Sequence, residues 1–365
     1  MVRRVFNILM ETSLFHSFPL FVLILLFLAA AIAVWIAGVY LSNTSDTLSG
    51  RFGLGQALGG LILLSIATNL PEIAITVSAS LSHNLGLAVG NILGGIAVQT
   101  VVLVLLDIFG LWKQDALSYA AASLELVLEG VLVVAILILA IMGTQLPKSL
   151  VFWRIAPGGL LITILWIVGI WLLGKARKGL PWQEKGRAPD TLHKNRGEKT
   201  KDTTQKWSTP HVVIVFLLSS LITLIAGVVL EESGSGIASH IGLSGVLFGS
   251  TVLAASTSLP ELSTGLASVK AKAYNLAFSD IFGGNAFLPV LFLLATLLSG
   301  QAVLPQAKNT DIYLAGLGIL LTTVYLYGLI FRPKRQILRM GIDSLVVLVL
   351  YIIGTVGLFA IALLS

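Results

Sequence analysis

The sequence of 365 residues contains no cysteine. Disulfides, thiolate nucleophiles and zinc–thiolate sites are therefore excluded. Charge is also scarce: Asp, Glu, Lys and Arg make up 11% of the chain, against about 25% in a typical soluble domain. The five histidines show no metal-ligand spacing. No His-Glu-x-x-His, nucleophile–base or aspartyl-protease-like pattern occurs, so no enzyme and no cofactor are expected. The one long polar segment runs only from Lys175 to Lys206, too short for a soluble catalytic domain. No cleavable signal peptide is expected, because the first apolar run is long enough to span and lacks a clear small-residue cleavage site.

What is present is apolar. The chain is 56% hydrophobic, with a mean hydropathy of +0.96. Many apolar runs reach the length needed to cross a bilayer as a helix, which predicts an all-α polytopic membrane protein. Ten spans are expected, at about 18–41, 53–82, 86–110, 117–143, 151–174, 211–230, 243–269, 274–300, 311–331 and 343–364.

Lysine and arginine set the orientation. With the loop 175–210 in the cytoplasm, eighteen basic residues lie inside: Arg51, Lys113, ten from Lys175 to Lys206, Lys270, Lys272, Arg332, Lys334, Arg335 and Arg339. Five lie outside: Arg3, Arg4, Lys148, Arg154 and Lys308. Both termini are then outside, and the membrane is of the bacterial inner type. The basic loop reads as a disordered linker. It separates a first five-helix unit, 1–174, from a second, 211–365. Its charge marks the inner face; contact with anionic headgroups is the lesser alternative. A nucleic-acid partner is not expected, because no aromatic-interleaved binding module accompanies the charge. The expected partners are the bilayer and inorganic cations.

Two costly stretches organise the apolar background. Thr68-Asn69-Leu70-Pro71-Glu72 returns in the second unit as Thr257-Ser258-Leu259-Pro260-Glu261. An acid at the centre of a membrane helix costs roughly 2.5–3.5 kcal/mol on insertion scales and is a functional candidate by default. The shift that carries Thr68 onto Thr257 also aligns Leu87, Ala88, Ile92, Gly94, Gly95 and Ala97 with Leu276, Ala277, Ile281, Gly283, Gly284 and Ala286, without a gap. Positions 68–97 thus hold ten identities in thirty. Five spans per unit is an odd number, so the second unit enters from the opposite side. Inverted repeats of this kind are a transporter signature.

The chemistry of the motif suits a hard cation. Proline has no N–H, so Pro71 frees the carbonyl of Ala67 and Pro260 that of Ser256. A bound cation can satisfy such carbonyls at membrane depth. Glu72 and Glu261 add anionic oxygens; Thr68, Thr257 and Ser258 add hydroxyls, and Asn69 an amide. An all-oxygen set favours calcium, sodium or magnesium over soft metals. Two carboxylates in low dielectric cannot both stay ionised in an empty site, so exchange of one cation for another follows. Asn91 and Asp280 occupy equivalent positions nineteen residues after each glutamate. They either face the site or make interhelical hydrogen bonds. Gly90, Gly94, Gly95, Gly283 and Gly284 allow close helix approach.

With these motifs the chain resembles the calcium/cation antiporter superfamily, which includes the sodium/calcium exchangers. The residues that carry the likeness are Ala67 to Glu72, Ser256 to Glu261, Gly90-Asn91-Ile92-Leu93-Gly94-Gly95 and Ser279-Asp280-Ile281-Phe282-Gly283-Gly284-Asn285. The resemblance implies ten spans in two inverted repeats and a divalent-cation site at the paired glutamates. It departs where sodium/calcium exchangers commonly carry serine, here Gly95 and Gly284, and four residues on, where a polar Asn or Asp is usual and Gln99 and Leu288 stand. Loss of the serine hydroxyls tilts the coupling ion toward protons, or toward sodium at fewer sites; potassium-coupled members also exist.

Other acids are read more plainly. Glu125 and Glu129, one turn apart, either line an ion path or pair with a base at the helix end. Asp107, Asp311 and Asp343 are expected at interfaces, and Glu231 and Glu232 at the end of span six. The function expected is secondary exchange of a divalent cation, calcium favoured, for sodium or protons by alternating access. A passive cation channel using the same carboxylates is the alternative.

Overall fold

The computed structural model describes residues 18–81, 85–110, 115–121, 123–176, 179, 206–241 and 257–364. Inside a bilayer every backbone N–H and C=O must be paired within the segment, so apolar runs of this length become helices. The first unit holds α1 (Leu20–Arg51), α2 (Leu70–Leu81), α3 (Leu85–Gly110), α4 (Leu124–Thr144) and α5 (Pro157–Ala176). The second holds α6 (Thr209–His240), α7 (Leu259–Lys270), α8 (Tyr274–Phe287), α9 (Leu291–Ser299), α10 (Asn309–Phe331) and α11 (Ile342–Leu364). A 3-10 turn, Leu288–Val290, joins α8 to α9 and makes them one span. The only strands among the described residues are β1 (Gln336–Ile337) and β2 (Met340–Gly341), an antiparallel pair in register Gln336↔Gly341.

Eight helices among the described residues are long and apolar enough to cross a membrane. Gly59–Thr68 and α2 meet at 53° and together form either a broken ninth span or a re-entrant loop. The expected seventh span, 243–269, is described only from Thr257 onward. Ser256 therefore lies outside the described residues, as does most of the linker 175–210.

Several boundaries differ from the hydropathy reading. α1 does not stop near 41 but continues through Ser42-Asn43-Thr44-Ser45-Asp46-Thr47 to Arg51. Hydroxyls make this polar turn compatible with the interior by donating back to the helix: Thr44 Oγ1 to the Tyr40 carbonyl at 2.6 Å and Thr47 Oγ1 to that of Asn43 at 2.9 Å. Ser42 Oγ also meets Ser268 Oγ of α7 at 2.7 Å. Likewise α6 runs past Glu231 and Glu232 to His240, so those acids do not end the helix. α4 begins at Leu124, not 117, because Ser123 caps it by accepting from the Leu126 N–H. The preceding residues form a separate short helix, Leu117–Ala121.

Positions paired by the repeat shift open matching helices. α2 and α7 are each twelve residues long, and their first residues, Leu70 and Leu259, are repeat mates. Leu85 and Tyr274, which open α3 and α8, stand at the same offset. Gly38 of α1 presses its backbone onto Ser263 of α7. Its repeat mate Gly227, on α6, presses onto Pro71 of α2. Each long outer helix thus packs on the motif helix of the other unit. α1 and α6 also pack on each other and turn Phe21, Ile32, Leu217 and Ile222 outward. α3 and α8 run through the centre, where Ile92, Ile96, Leu103, Phe278 and Phe282 are fully buried.

Candidate functional site

The span ahead of α2 reaches the centre of the bundle in pieces. Gly59–Leu64 form a π-helical turn, Ser65–Thr68 one α-turn, and Asn69 breaks the helix. π-turns inside helices are frequent at functional sites. The break follows from Pro71, which has no N–H to offer the Ala67 carbonyl. Asn69 bridges it by donating Nδ2 to the Ser65 carbonyl at 2.7 Å. Ser258 takes the same backbone conformation in the other half: φ −88°, ψ 1°, against φ −86°, ψ 14° at Asn69. Each break puts a glutamate in the first turn of the helix that follows.

Both glutamates are interior: Glu72 is 1% and Glu261 0% exposed. Glu261 lies within electrostatic reach of Glu72 and of Asp280. Gln99 Nε2 donates to Glu261 Oε1 at 3.2 Å and to Asn69 Oδ1 at 2.9 Å. Glu261 Oε2 is buried with no hydrogen-bond partner. Asp280 is fully buried and held from two sides. Thr68 Oγ1 donates to its Oδ1 at 3.1 Å, and Thr264 Oγ1 to its Oδ2 at 2.5 Å. No group of three His, Cys, Asp or Glu that could jointly hold a metal occurs among the described residues. Bare anions packed this closely in an apolar interior require positive charge between them, as cations or protons.

Thr68, Asn69, Glu72, Glu261 and Asp280 are thus brought together. Ala67, Thr257 and Ser258 are buried at the breaks beside them. Asn91 is not joined to the network; its Nδ2 has no hydrogen-bond partner. Two participants, Thr264 and Gln99, escape a motif-based reading, and Glu129 is placed by a contact. Thr264 stands one turn after Glu261, a signal available in the sequence as a hydroxyl on the same helix face. Gln99 is legible only as a departure from the family pattern. Glu129, fully buried on α4, accepts from Ser279 Oγ at 2.6 Å, which turns it toward α8 and rules out a base at the helix end as its partner in this contact.

The two family departures are coupled in space. A Cβ on Gly284 would lie 2.7 Å from Asn69 Nδ2 and 3.3 Å from Gln99 Oε1, so the amides fill the place of a side chain there. Its repeat mate Gly95 faces Leu288 Cδ1 at 3.8 Å, and Leu288 is the repeat mate of Gln99. One flank of the site is lined by an amide and the other by an alkyl group.

The sequence profile described as sodium/calcium exchanger protein matches residues 22–175 and 211–360. The chain belongs to the sodium/calcium exchanger family. Members of this family are transporters, not enzymes, and this one is an integral, multi-pass membrane protein. The putative antiporter CaxA of Alkalimonas amylolytica is 26% identical over 308 residues, 83% of this chain and 89% of that protein. The inner membrane protein YrbG of Escherichia coli K12 is 25% identical over 268 residues, 73% of this chain and 77% of that one. A solved structure of the sodium-calcium exchanger NCX_Mj, soaked with sodium and strontium, shares the fold at a TM-score of 0.66 and 17% identity, covering 93% of this chain and 99% of that chain. As a family member, the protein is read as a cation antiporter.

The contact between α4 and α8 carries a prediction. Ser279→Ala leaves Glu129 buried without its donor, and stranding a buried charged or polar group costs about 1–3 kcal/mol. The expected result is a lower midpoint of thermal unfolding in detergent. Glu129→Gln with Ser279→Ala should recover part of the loss; additive destabilisation by the two changes would refute the pairing.

Proposed function

We propose that this protein exchanges a divalent cation of the calcium class for sodium or protons, by alternating access around Glu72 and Glu261. The observation that carries the reading is the burial of both motif glutamates, each in the first turn after a matching helix break. Odd spans per unit make the repeat inverted, the arrangement that supports rocking of one bundle against the other. The ligands would be Glu72 and Glu261, the hydroxyls of Thr68, Thr257 and Ser258, the Asn69 amide, and the carbonyls of Ala67 and Ser256. Asp280, tethered by Thr68 and Thr264, adds a third carboxylate beside them. Asn91, equivalent in the repeat to Asp280, completes the proposed set through its amide oxygen.

The loss of serine at 95 and 284 supports few accessory monovalent sites. Gly284 faces amides and Gly95 faces Leu288, so neither flank offers a hydroxyl. The reading places the protein in a bacterial-type inner membrane, the 175–210 loop in the cytoplasm and both termini outside.

Labelled calcium uptake into proteoliposomes tests this. The expected result is accumulation driven by an outward sodium or proton gradient, with each gradient imposed separately. Accumulation under neither would sink calcium exchange. The channel alternative is separated by counterflow: a channel cannot concentrate labelled calcium against an opposing gradient, whereas an exchanger does.

A further inference from the structure

A second group of buried polar side chains lies away from this site, at the end of the bundle that carries the β1–β2 hairpin. α3 contributes Asp107, α11 Asp343 and Ser344, the short helix Leu117–Ala121 Ser118, and α10 Tyr325. Asp343 is 5% exposed and the other four 1%. Asp107 and Asp343, expected at interfaces near the span ends, are both buried within the protein there.

Asp107 is held in place. Its Oδ1 accepts from the Leu117 N–H at 2.8 Å and its Oδ2 from the Gly341 N–H at 2.6 Å. Asp343 is not. Neither of its oxygens meets the geometry of a hydrogen bond, and neither does Ser118 Oγ, although Ser118 and the Ser344 backbone lie close enough to interact with it. The two carboxylates meet over Gly341. At the point a Cβ on Gly341 would occupy, Asp343 Oδ1 is 2.5 Å away and Asp107 Oδ2 3.3 Å away. Gly328 of α10 gives Asp343 Oδ2 its room. Tyr325 OH and Ser344 Oγ are 3.3 Å apart at the edge. Arg332 and Lys334 lie over the Tyr119 ring, 5.1 Å and 5.4 Å from its centroid, and not on the aspartates.

Two facing, buried carboxylates, one of them with both oxygens unused, need a positive partner. We propose that Asp107, Asp343 and Ser118, with Tyr325 and Ser344 at the edge, form a second binding site for a divalent cation, separate from the Glu72–Glu261 site. Every donor is a hard oxygen, which suits calcium. Two carboxylates balance the charge of a divalent ion. An ion here ties α3, α10 and α11 together at the hairpin. On the orientation set by basic residues it faces the cytoplasm and samples the cation there without carrying it across.

Equilibrium binding of radiolabelled calcium to the purified full-length protein in detergent tests the site. Four proteins are compared: wild type, Glu261→Gln, Asp343→Asn and the double variant. The expected result is that Asp343→Asn loses one bound calcium per chain in both backgrounds. Binding unchanged by Asp343→Asn would overturn the proposal and leave a carboxyl pair that shares a proton. The Glu261→Gln arm reports on the transport site alone, so either reading can fail without the other. Should Asp343→Asn not fold, Ser118→Ala removes one neutral oxygen and is expected to weaken this site roughly tenfold; unaltered affinity would equally count against it.

Discussion

Glu261→Gln is expected to lower cation exchange by about 10- to 100-fold, since an interaction with a charged group is worth roughly 1.5–3 kcal/mol and each 1.4 kcal/mol is tenfold. The substitution is nearly isosteric, and its amide oxygen can still accept from Gln99 Nε2, now 3.2 Å from Glu261 Oε1. What disappears is the negative charge that faces Glu72 and Asp280. Stability should therefore move the other way. Removing one of several crowded buried carboxylates relieves repulsion, so the unfolding midpoint without divalent cation should hold or rise. Flux in proteoliposomes and thermal unfolding in detergent measure the two effects on one preparation. Wild-type flux from this variant would remove Glu261 from the site. A variant that aggregates would be answered by Glu72→Gln, which makes the same charge change in the other half.

Gly283→Ala should be a strongly damaging small substitution in the core. A Cβ there would sit 2.5 Å from Leu61 Cα, 2.9 Å from Ser65 Oγ and 3.0 Å from the Leu61 carbonyl oxygen. Two of these atoms are backbone of the π-helical turn and cannot rotate away. Overpacking of this kind costs typically about 1–3 kcal/mol. The same turn leads into Thr68 and Asn69, so flux should fall with stability. Gly94, its repeat mate, is the control. A Cβ on Gly94 would make only an ordinary contact, 3.7 Å from Leu314 Cδ1. There the helix propensity of alanine, about 1 kcal/mol better than glycine, should leave stability equal or improved. Equal losses at the two positions would refute the asymmetry of packing.

Much of this was legible before any coordinates. A proline and a glutamate in an apolar run carry a high cost, and their recurrence located both helix breaks and both central acids. Composition alone supplied the all-helical membrane class. Helix ends were less legible, because hydropathy scores Ser42 to Thr47 as polar. Hydroxyls that bond back to their own helix cancel that cost, and no hydropathy window registers it. The burial of Asp107 and Asp343 was hidden for a related reason. Both sit near the ends of apolar runs, where a sequence reading places them in the headgroups. Asp107 is enclosed by N–H groups of the short helix Leu117–Ala121 and of the hairpin, the latter 234 residues away in sequence. The partnership of Gln99 with Asn69 and Glu261, and of Thr264 with Asp280, also needed three dimensions. Each is a contact between different helices.

An amide beside one glycine and an alkyl group beside its mate have a kinetic corollary. Two interchangeable halves would give a carrier with two equally populated resting postures. Gln99 against Gly284 and Leu288 against Gly95 break that degeneracy. On the exchange reading, the carrier idles with one mouth preferred, and forward and reverse turnover proceed at unequal speeds under matched gradients.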